Sequence, residues 1–330
     1  MMQHYFWDCW TIFDRATEKF HIFRLFAEQH YRDIAQHDKF SRLAYGTSKN
    51  LEDFEYHQMD IIKPSDNSSS IWTGCIIRRS DGKYLLFYTE RTNESNYWAN
   101  QTIRCAYTNE LGTDWHRISS IEISPKTVDP QGNFFLLSPR TTDRTIHAWR
   151  DPFVFKHGGI FYMLVSAKSN QMEPHESACI ALLKAKDDLL ETWTLVTARL
   201  VGGYEELEVP QIYIDKHTNQ AVLIASTWNE NDYQESMNQG YNPYNNLANT
   251  TVRRQGNLLS FRSNHITEAL EGKFGSPEVI VTSSEGLYAG VVVPELSGAI
   301  MGFDISTGKH RVLPHRLPNL SHPDTAIKLA

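Results

Sequence analysis

The chain has 330 residues, 41% of them hydrophobic and 22% charged, enough for one large domain or two ordinary ones with a sizeable buried core. A formal charge of −7 with no Lys/Arg run argues against a nucleic-acid surface, and no apolar stretch reaches the ~18 residues that cross a bilayer. The segment from Met1 to Asp8 lacks the basic start and apolar middle of a secretory signal, so an intracellular, cytoplasmic location is expected if Met1 is the natural start.

In chain order the sequence predicts strand–turn–strand units. Trp10–Phe13 turns through residues 14–19 into Phe20–Phe26, and Cys75–Arg79 turns through Ser80-Asp81-Gly82-Lys83 into Tyr84–Tyr88. Phe153–Phe155 turns at His157-Gly158-Gly159 into Ile160–Ser166, and Gln211–Ile214 turns at Asp215–Asn219 into Ala221–Ala225. Val291–Val293 passes through Pro294–Gly298 into Ala299–Phe303. Gly and Asp at such turns accept the positive φ that a tight hairpin requires. Third strands follow at Arg42–Ser48, Ile103–Thr108 and Cys179–Ala185.

Five units start near residues 8, 72, 151, 208 and 288, about 57 to 80 residues apart, the length of a four-stranded propeller blade with loop insertions. A β-sandwich also yields short strands and turn signals, but it gives no reason for special residues at the start of each unit. The expected fold is therefore all-β, a five-bladed β-propeller formed as a single catalytic domain over residues 1–330. The Asn/Tyr-rich stretch 229–250 reads as a long loop, a class often functional.

Three acidic residues stand just before apolar strand-like runs at these starts: Asp8 in Phe6-Trp7-Asp8-Cys9-Trp10, Asp151 in Trp149-Arg150-Asp151-Pro152, and Glu208 in Glu206-Leu207-Glu208-Val209-Pro210-Gln211. In a propeller they meet at one mouth of the channel. Glycosidic-bond cleavage needs one ionised carboxylate and one carboxyl that keeps its proton. Glu208 has apolar neighbours, so desolvation is expected to raise its pKa. Arg150 brings a fixed cation with a bidentate fork, and Trp7 and Trp10 are placed to wall a sugar. Glu205 and Glu206 are the alternatives for the acid role of Glu208.

These segments resemble the five-bladed propeller glycoside hydrolases that act on fructosides, the clan of invertases (family 32) and levansucrases (family 68). Trp7-Asp8-Cys9-Trp10 resembles the levansucrase W-D-x-W motif, and Ile71-Trp72-Thr73-Gly74-Cys75 its W-S-G-S segment with Thr73 in place of Ser. Arg150-Asp151-Pro152 matches the clan's R-D-P, and Glu208-Val209-Pro210-Gln211 resembles its E-R-P-Q, with Val209 where a basic residue is common. The match runs from residue 6 to about 230 and leans toward family 68. It implies Asp8 as nucleophile, Glu208 as acid/base and Asp151 as transition-state stabiliser, with Trp7, Trp72, Thr73 and Arg150 lining the sugar subsite. It also implies a saccharide as partner and no cofactor. The chain ends about where a fifth blade closes, without the extra β-sandwich of family 32.

The leading expectation is a retaining β-fructofuranosidase or fructosyltransferase. Alternatives are an inverting arabinanase/xylosidase-like propeller glycosidase and a non-catalytic carbohydrate-binding propeller, since fold alone does not fix function. Retention goes with carboxyls ~5–5.5 Å apart and inversion with ~6.5–9.5 Å. His147, His157 and His175 lack metal-ligand spacing, no EF-hand spacing occurs, and no metal site is expected. Cys9, Cys75, Cys105 and Cys179 have no pairing pattern and read as free, mostly buried thiols.

Overall fold

A computed structural model describes residues 4–33, 36–66, 69–92, 100–135, 137, 148–172, 176–204, 206–227, 257–304 and 309–323. The stretch 229–250, Glu205, His147 and His175 lie outside the described residues.

The strands form five separate antiparallel sheets. Blade 1 holds β1 (His4–Asp14), β2 (Lys19–Glu28), β3 (Arg42–Ser48) and β4 (Glu55–Gln58). Blade 2 holds β5 (Ser70–Arg78), β6 (Tyr84–Thr92), β7 (Asn100–Thr108) and β8 (His116–Arg117). Blade 3 holds β9 (Trp149–His157), β10 (Ile160–Lys168), β11 (Ala178–Ala185) and β12 (Trp193–Tyr204). Blade 4 holds β13 (Glu208–Asp215), β14 (Ala221–Thr227), β15 (Asn257–Ser263) and β16 (Glu278–Val281). Blade 5 holds β17 (Leu287–Val293), β18 (Ala299–Asp304) and β19 (Lys309–Leu313). The first strands of all five blades line one central channel, with Thr11, Ile76, Phe153, Tyr213 and Val292 on its wall. This is the expected five-bladed β-propeller. Two stacked sheets, as in a sandwich, do not occur among the described residues.

Five hydrophobic clusters hold the ring, one at each blade–blade interface. A strand's side chains alternate between faces, and here both faces are covered. In β14, Ala221, Leu223 and Ala225 pack toward blade 3 while Val222 and Ile224 pack toward blade 5. All seven β14 residues are buried, which explains why the sequence shows continuous apolar runs rather than alternation. Among the described residues, no strand is shared between blades 5 and 1. Cys9, Phe20, Ile22, Leu51, Val293 and Met301 close the ring there by packing. The four cysteines are free and buried. Among the described residues no helix is long and apolar enough to cross a membrane.

One local device recurs in every blade. The pairing of first and second strands slips between Phe6 and Cys9, between Trp72 and Gly74, opposite Asp151-Pro152 (between Leu164 and Ser166), between Glu208 and Gln211, and between Tyr288 and Val291. Such bulges bend a strand and re-aim its side chains. Three of the slipped residues have left-handed backbone, Asp151 (φ 55), Val209 (φ 49) and Ala289 (φ 50). Gly74 is required at its bulge, because a Cβ there would lie 2.0 Å from the Phe87 carbonyl oxygen.

The structure also shifts the strand starts. The first strands begin at His4, Ser70, Trp149, Glu208 and Leu287, each several residues before the apolar runs legible in the sequence. The acidic residues therefore lie within strands rather than ahead of them, and the bulge, not a preceding loop, points them at the mouth.

Candidate active site

Asp8, Arg150, Asp151 and Glu208 lie together at one mouth of the channel, with Trp7, Trp72 and Thr73 beside them. Asp8, in the β1 bulge, accepts a hydrogen bond on Oδ2 from Thr73 Oγ1 (2.9 Å) in the β5 bulge. Thr89 Oγ1 donates to the Thr73 carbonyl (3.1 Å) and accepts from the Asp151 amide (3.1 Å), so a chain of polar contacts links blades 1, 2 and 3. Asp151 Oδ2 accepts from the Val209 amide (3.0 Å) and from Ser166 Oγ (3.4 Å). The left-handed backbone at Val209 thus turns an amide of blade 4 onto a carboxylate of blade 3.

Arg150 joins the acids. Its Nη2 donates to Glu208 Oε1 (2.5 Å) and Glu206 Oε2 (2.9 Å), and its Nε lies 3.6 Å from Asp151 Oδ2. Lys168 Nζ pairs with Glu206 Oε1 at 2.9 Å. Glu206, Lys168 and Arg150 are all but sealed, at 1%, 1% and 2% side-chain exposure, whereas Glu208 keeps 15%. Of the two glutamates, Glu208 is the one that reaches the open mouth. Arg150 Nη1 is buried and has no hydrogen-bond partner among the described residues. A buried guanidinium donor left unpaired is costly.

Burial dominates the electrostatics of the acids. Desolvation, with the neighbouring Asp151 charge, raises Asp8 to about 7 against the lowering hydrogen bond from Thr73. Desolvation raises Glu208 to about 8, with Arg150 opposing and Glu206 and Asp151 assisting. Asp151 is raised as well, chiefly by burial, with Arg150 and the Val209 amide pulling it back. The sequence led to the raised glutamic acid. The raised Asp8 is a difference, and its cause is enclosure beside a second carboxylate.

Trp7 is half-buried, stacked on Tyr5 (5.3 Å, 25°). Trp72 is also half-buried, its ring within 5.5 Å of the Arg91 guanidinium and 6.0 Å of that of Arg150. Gln211, the last residue of the E-V-P-Q segment, faces away from the site. It donates to the Val209 and Gly290 carbonyls and accepts from the Val292 amide and Tyr213 hydroxyl, which ties blade 4 to blade 5. Among the described residues no three His, Cys, Asp or Glu side chains are grouped to hold a metal ion.

Thr89, Ser166 and Lys168 were not singled out from the sequence. They carried a readable signal. The second strands β6, β10 and β14 are apolar until polar ends at Thr89-Glu90-Arg91, Ser166-Ala167-Lys168 and Ser226-Thr227. Buried polar residues at the same end of successive blades mark the functional mouth.

Fold and site together are those of a five-bladed propeller glycoside hydrolase. The chain belongs to glycosyl hydrolase family 32: the model of that family's N-terminal domain matches residues 15–271, with Asp8 just ahead of the matched span. The residue resemblance leaned toward family 68, a member of the same clan. Among solved structures the chain is similar to inulosucrase from Halalkalicoccus jeotgali bound to kestose, at 17% identity and a TM-score of 0.64, over 91% of this chain and 76% of that one. It is similar to Bacillus subtilis levansucrase at 14% identity and a TM-score of 0.60, over 97% and 82% of the two chains. With the β-fructofuranosidase from Schwanniomyces occidentalis it shares 13% identity and a TM-score of 0.56, over 91% of this chain and 51% of that larger one. At these identities the likeness is one of fold. No protein with a curated description matches the sequence. At the level of the family, the chain is an enzyme that hydrolyses or transfers fructosyl units.

Proposed function

We propose that this protein is a retaining β-fructofuranosidase or fructosyltransferase, acting on sucrose or a related β-fructoside within a single propeller domain. The observation that carries the reading is the convergence of three carboxyl groups, the buried Asp151 and the half-buried Asp8 and Glu208, beside the Arg150 fork. Asp8, steadied by Thr73, attacks C2 of the fructosyl unit as the glycosidic C2–O bond breaks. Glu208, holding its proton near neutral pH, gives it to the departing sugar oxygen. The covalent fructosyl ester on Asp8 is then opened by water or an acceptor hydroxyl, whose proton returns to Glu208. Asp151 accepts hydroxyl hydrogen bonds and stabilises the oxocarbenium-like transition state. Arg150, paired with Asp151 and Glu208, sits beside the sugar, and Trp7, Trp72 and Thr73 bound the subsite. Glu206, enclosed between Arg150 and Lys168, suits a supporting role better than proton transfer.

Incubation with sucrose, with glucose and fructose measured separately over time, tests the reading. Equal release means hydrolysis, and glucose in excess means transfer to sugar. Release of neither from sucrose or longer fructans overturns it in favour of arabinoside cleavage or sugar binding alone. Retention is tested in the same vessel with methanol added, where the covalent intermediate yields methyl β-fructofuranoside. The α-anomer overturns retention.

A further inference from the structure

The connection between β2 and β3 of blade 1 lies at the mouth, where β2 ends and β3 begins, and it takes no part in the chemistry above. It contains a 3-10 turn, His37–Lys39. The His37 ring meets Trp7 edge-on (5.1 Å, 83°) and Tyr5 edge-on (5.1 Å, 84°). Tyr5 is the residue stacked on Trp7, and the Arg32 guanidinium lies 4.5 Å from the centre of the Tyr5 ring. One residue further on, the Asp38 carbonyl accepts a hydrogen bond from Trp72 Nε1 at 2.9 Å. A single turn thus grips one tryptophan from blade 1 and one from blade 2. Those tryptophans are the chain neighbours of Asp8 and Thr73, the hydrogen-bonded pair at the mouth.

We propose that the His37-Asp38 turn is a positioning element that fixes the tilt and separation of Trp7 and Trp72 as two walls of the sugar subsite. The proposal rests on the fructoside reading for its consequence, though not for its geometry. An indole that stacks on a sugar contributes most when its rotamer is already set, because ordering it on binding costs affinity. His37 supplies a ring edge to Trp7, the favoured geometry for aromatic pairs. The Asp38 carbonyl satisfies the Trp72 N–H, and with the two guanidiniums beside its ring Trp72 is held on several sides. His37 acts on the site through the rings of Trp7 and Tyr5, so it is a positioning residue, and its contribution falls on substrate binding rather than on bond cleavage.

The test compares His37→Ala, which removes the ring, with His37→Phe, which keeps a ring edge and removes the imidazole. On a fructoside that the wild type turns over, His37→Ala is expected to raise KM about three- to tenfold, the worth of an edge-to-face pair, with kcat within about twofold, the signature of lost uniform binding. His37→Phe is expected to restore KM to within about twofold of wild type. A second readout needs no substrate. With the indole N–H resonances assigned through Trp7→Phe and Trp72→Phe, His37→Ala is expected to shift both signals and to speed solvent exchange of the Trp72 indole proton. Should His37→Ala not fold, His37→Leu, of similar bulk without a ring, replaces it. Unmoved indole signals, or a KM unchanged by ring removal, overturn the proposal. A wild type inert on every fructoside overturns the functional reading instead, and the indole measurement still decides the bracing.

Discussion

At the scale of single residues, the arrangement asks two half-buried carboxyls to hold different protonation states near neutral pH. Burial raises Asp8 to about 7 and Glu208 to about 8. The competent form has Asp8 ionised and Glu208 protonated, so kcat/KM is expected to be bell-shaped, with an acid limb from Asp8, an alkaline limb from Glu208 and a maximum near neutral to mildly alkaline pH. Glu208→Gln is expected to remove the alkaline limb from whatever turnover remains. An optimum well below pH 6 would contradict the assignment. The same shift has a stability consequence of definite sign. Asp8 is raised from 3.8 to about 7, so between those values the folded state binds more protons than the unfolded one, and stability falls as pH rises through the window. Asp8→Asn removes that penalty while keeping an acceptor for Thr73. It is expected to abolish turnover and yet to be more stable than wild type at pH 8, by roughly 1 to 4 kcal/mol, the lower end allowing for the partly open position of Asp8. The advantage should vanish near pH 4. Urea denaturation at both pH values measures it, and equal stability at pH 8 would show that Asp8 ionises without cost.

At the scale of elements, the repeated bulge is the feature the site depends on, and it was the part of the fold least legible in the sequence. Apolar runs and Gly-bearing turns revealed the hairpins, their number and the ends at which acids gather. Bulges leave no such trace. A slipped register does not change the apolar run beyond it, and nothing in Val209 or Ala289 announces left-handed backbone, since a β-branched residue is among the worst for it. The bulge residues are held there by neighbouring blades, as when the Val209 amide meets Asp151, and contacts between blades are not written in any one segment. The same holds for Lys168, which looks like an ordinary strand-end lysine until Glu206 of the next blade is placed 2.9 Å away. Ala289 offers a test free of catalysis, because it occupies the bulge of blade 5, which carries none of the three acids. Ala289→Gly relieves the left-handed strain and gives back part of the gain as chain entropy, so it is expected to change stability by less than about 1 kcal/mol. Ala289→Val, buried and β-branched, is expected to cost more than about 2 kcal/mol. Thermal unfolding of the pair checks this, and similar losses for both would mean that backbone conformation at the bulge is not what the position selects.

At the scale of the whole molecule, a propeller must close its ring, and this one does so between blades 5 and 1 by packing. The C-terminal segment leaves blade 5 with Leu317 donating to the Gly298 carbonyl and pairs at β20 (Leu320–Ser321) with β13 of blade 4. His322 then lines the channel, its Nε2 3.5 Å from Glu295 Oε1. The blade 5–blade 1 seam itself centres on His310. Its Nδ1 lies 3.9 Å from Cys9 Sγ, its Nε2 2.9 Å from the Leu51 carbonyl, and its ring edge-on to Phe54 at 4.7 Å. Burial, aided by the Arg24 charge, lowers His310 from 6.5 to about 4. A base with a depressed folded pKa binds fewer protons folded than unfolded between those values, so its share of stability is intact above about pH 6.5 and is lost as pH falls toward 4. The seam is therefore the acid-sensitive joint of the ring, opposite in sign to Asp8 at the mouth. His310→Asn keeps a polar group but cannot charge. At pH 7.5 it is expected to be less stable than wild type by roughly 1 to 3 kcal/mol, having lost packing and the Leu51 bond. As pH falls to 4 the wild type alone loses roughly 2 to 3 kcal/mol to His310 protonation, so the gap between the two proteins should close. Every other titrating group is common to both and cancels in the comparison. Urea midpoints across pH 4 to 7.5 decide the matter, since a gap that stays constant would mean that His310 does not link ring closure to pH.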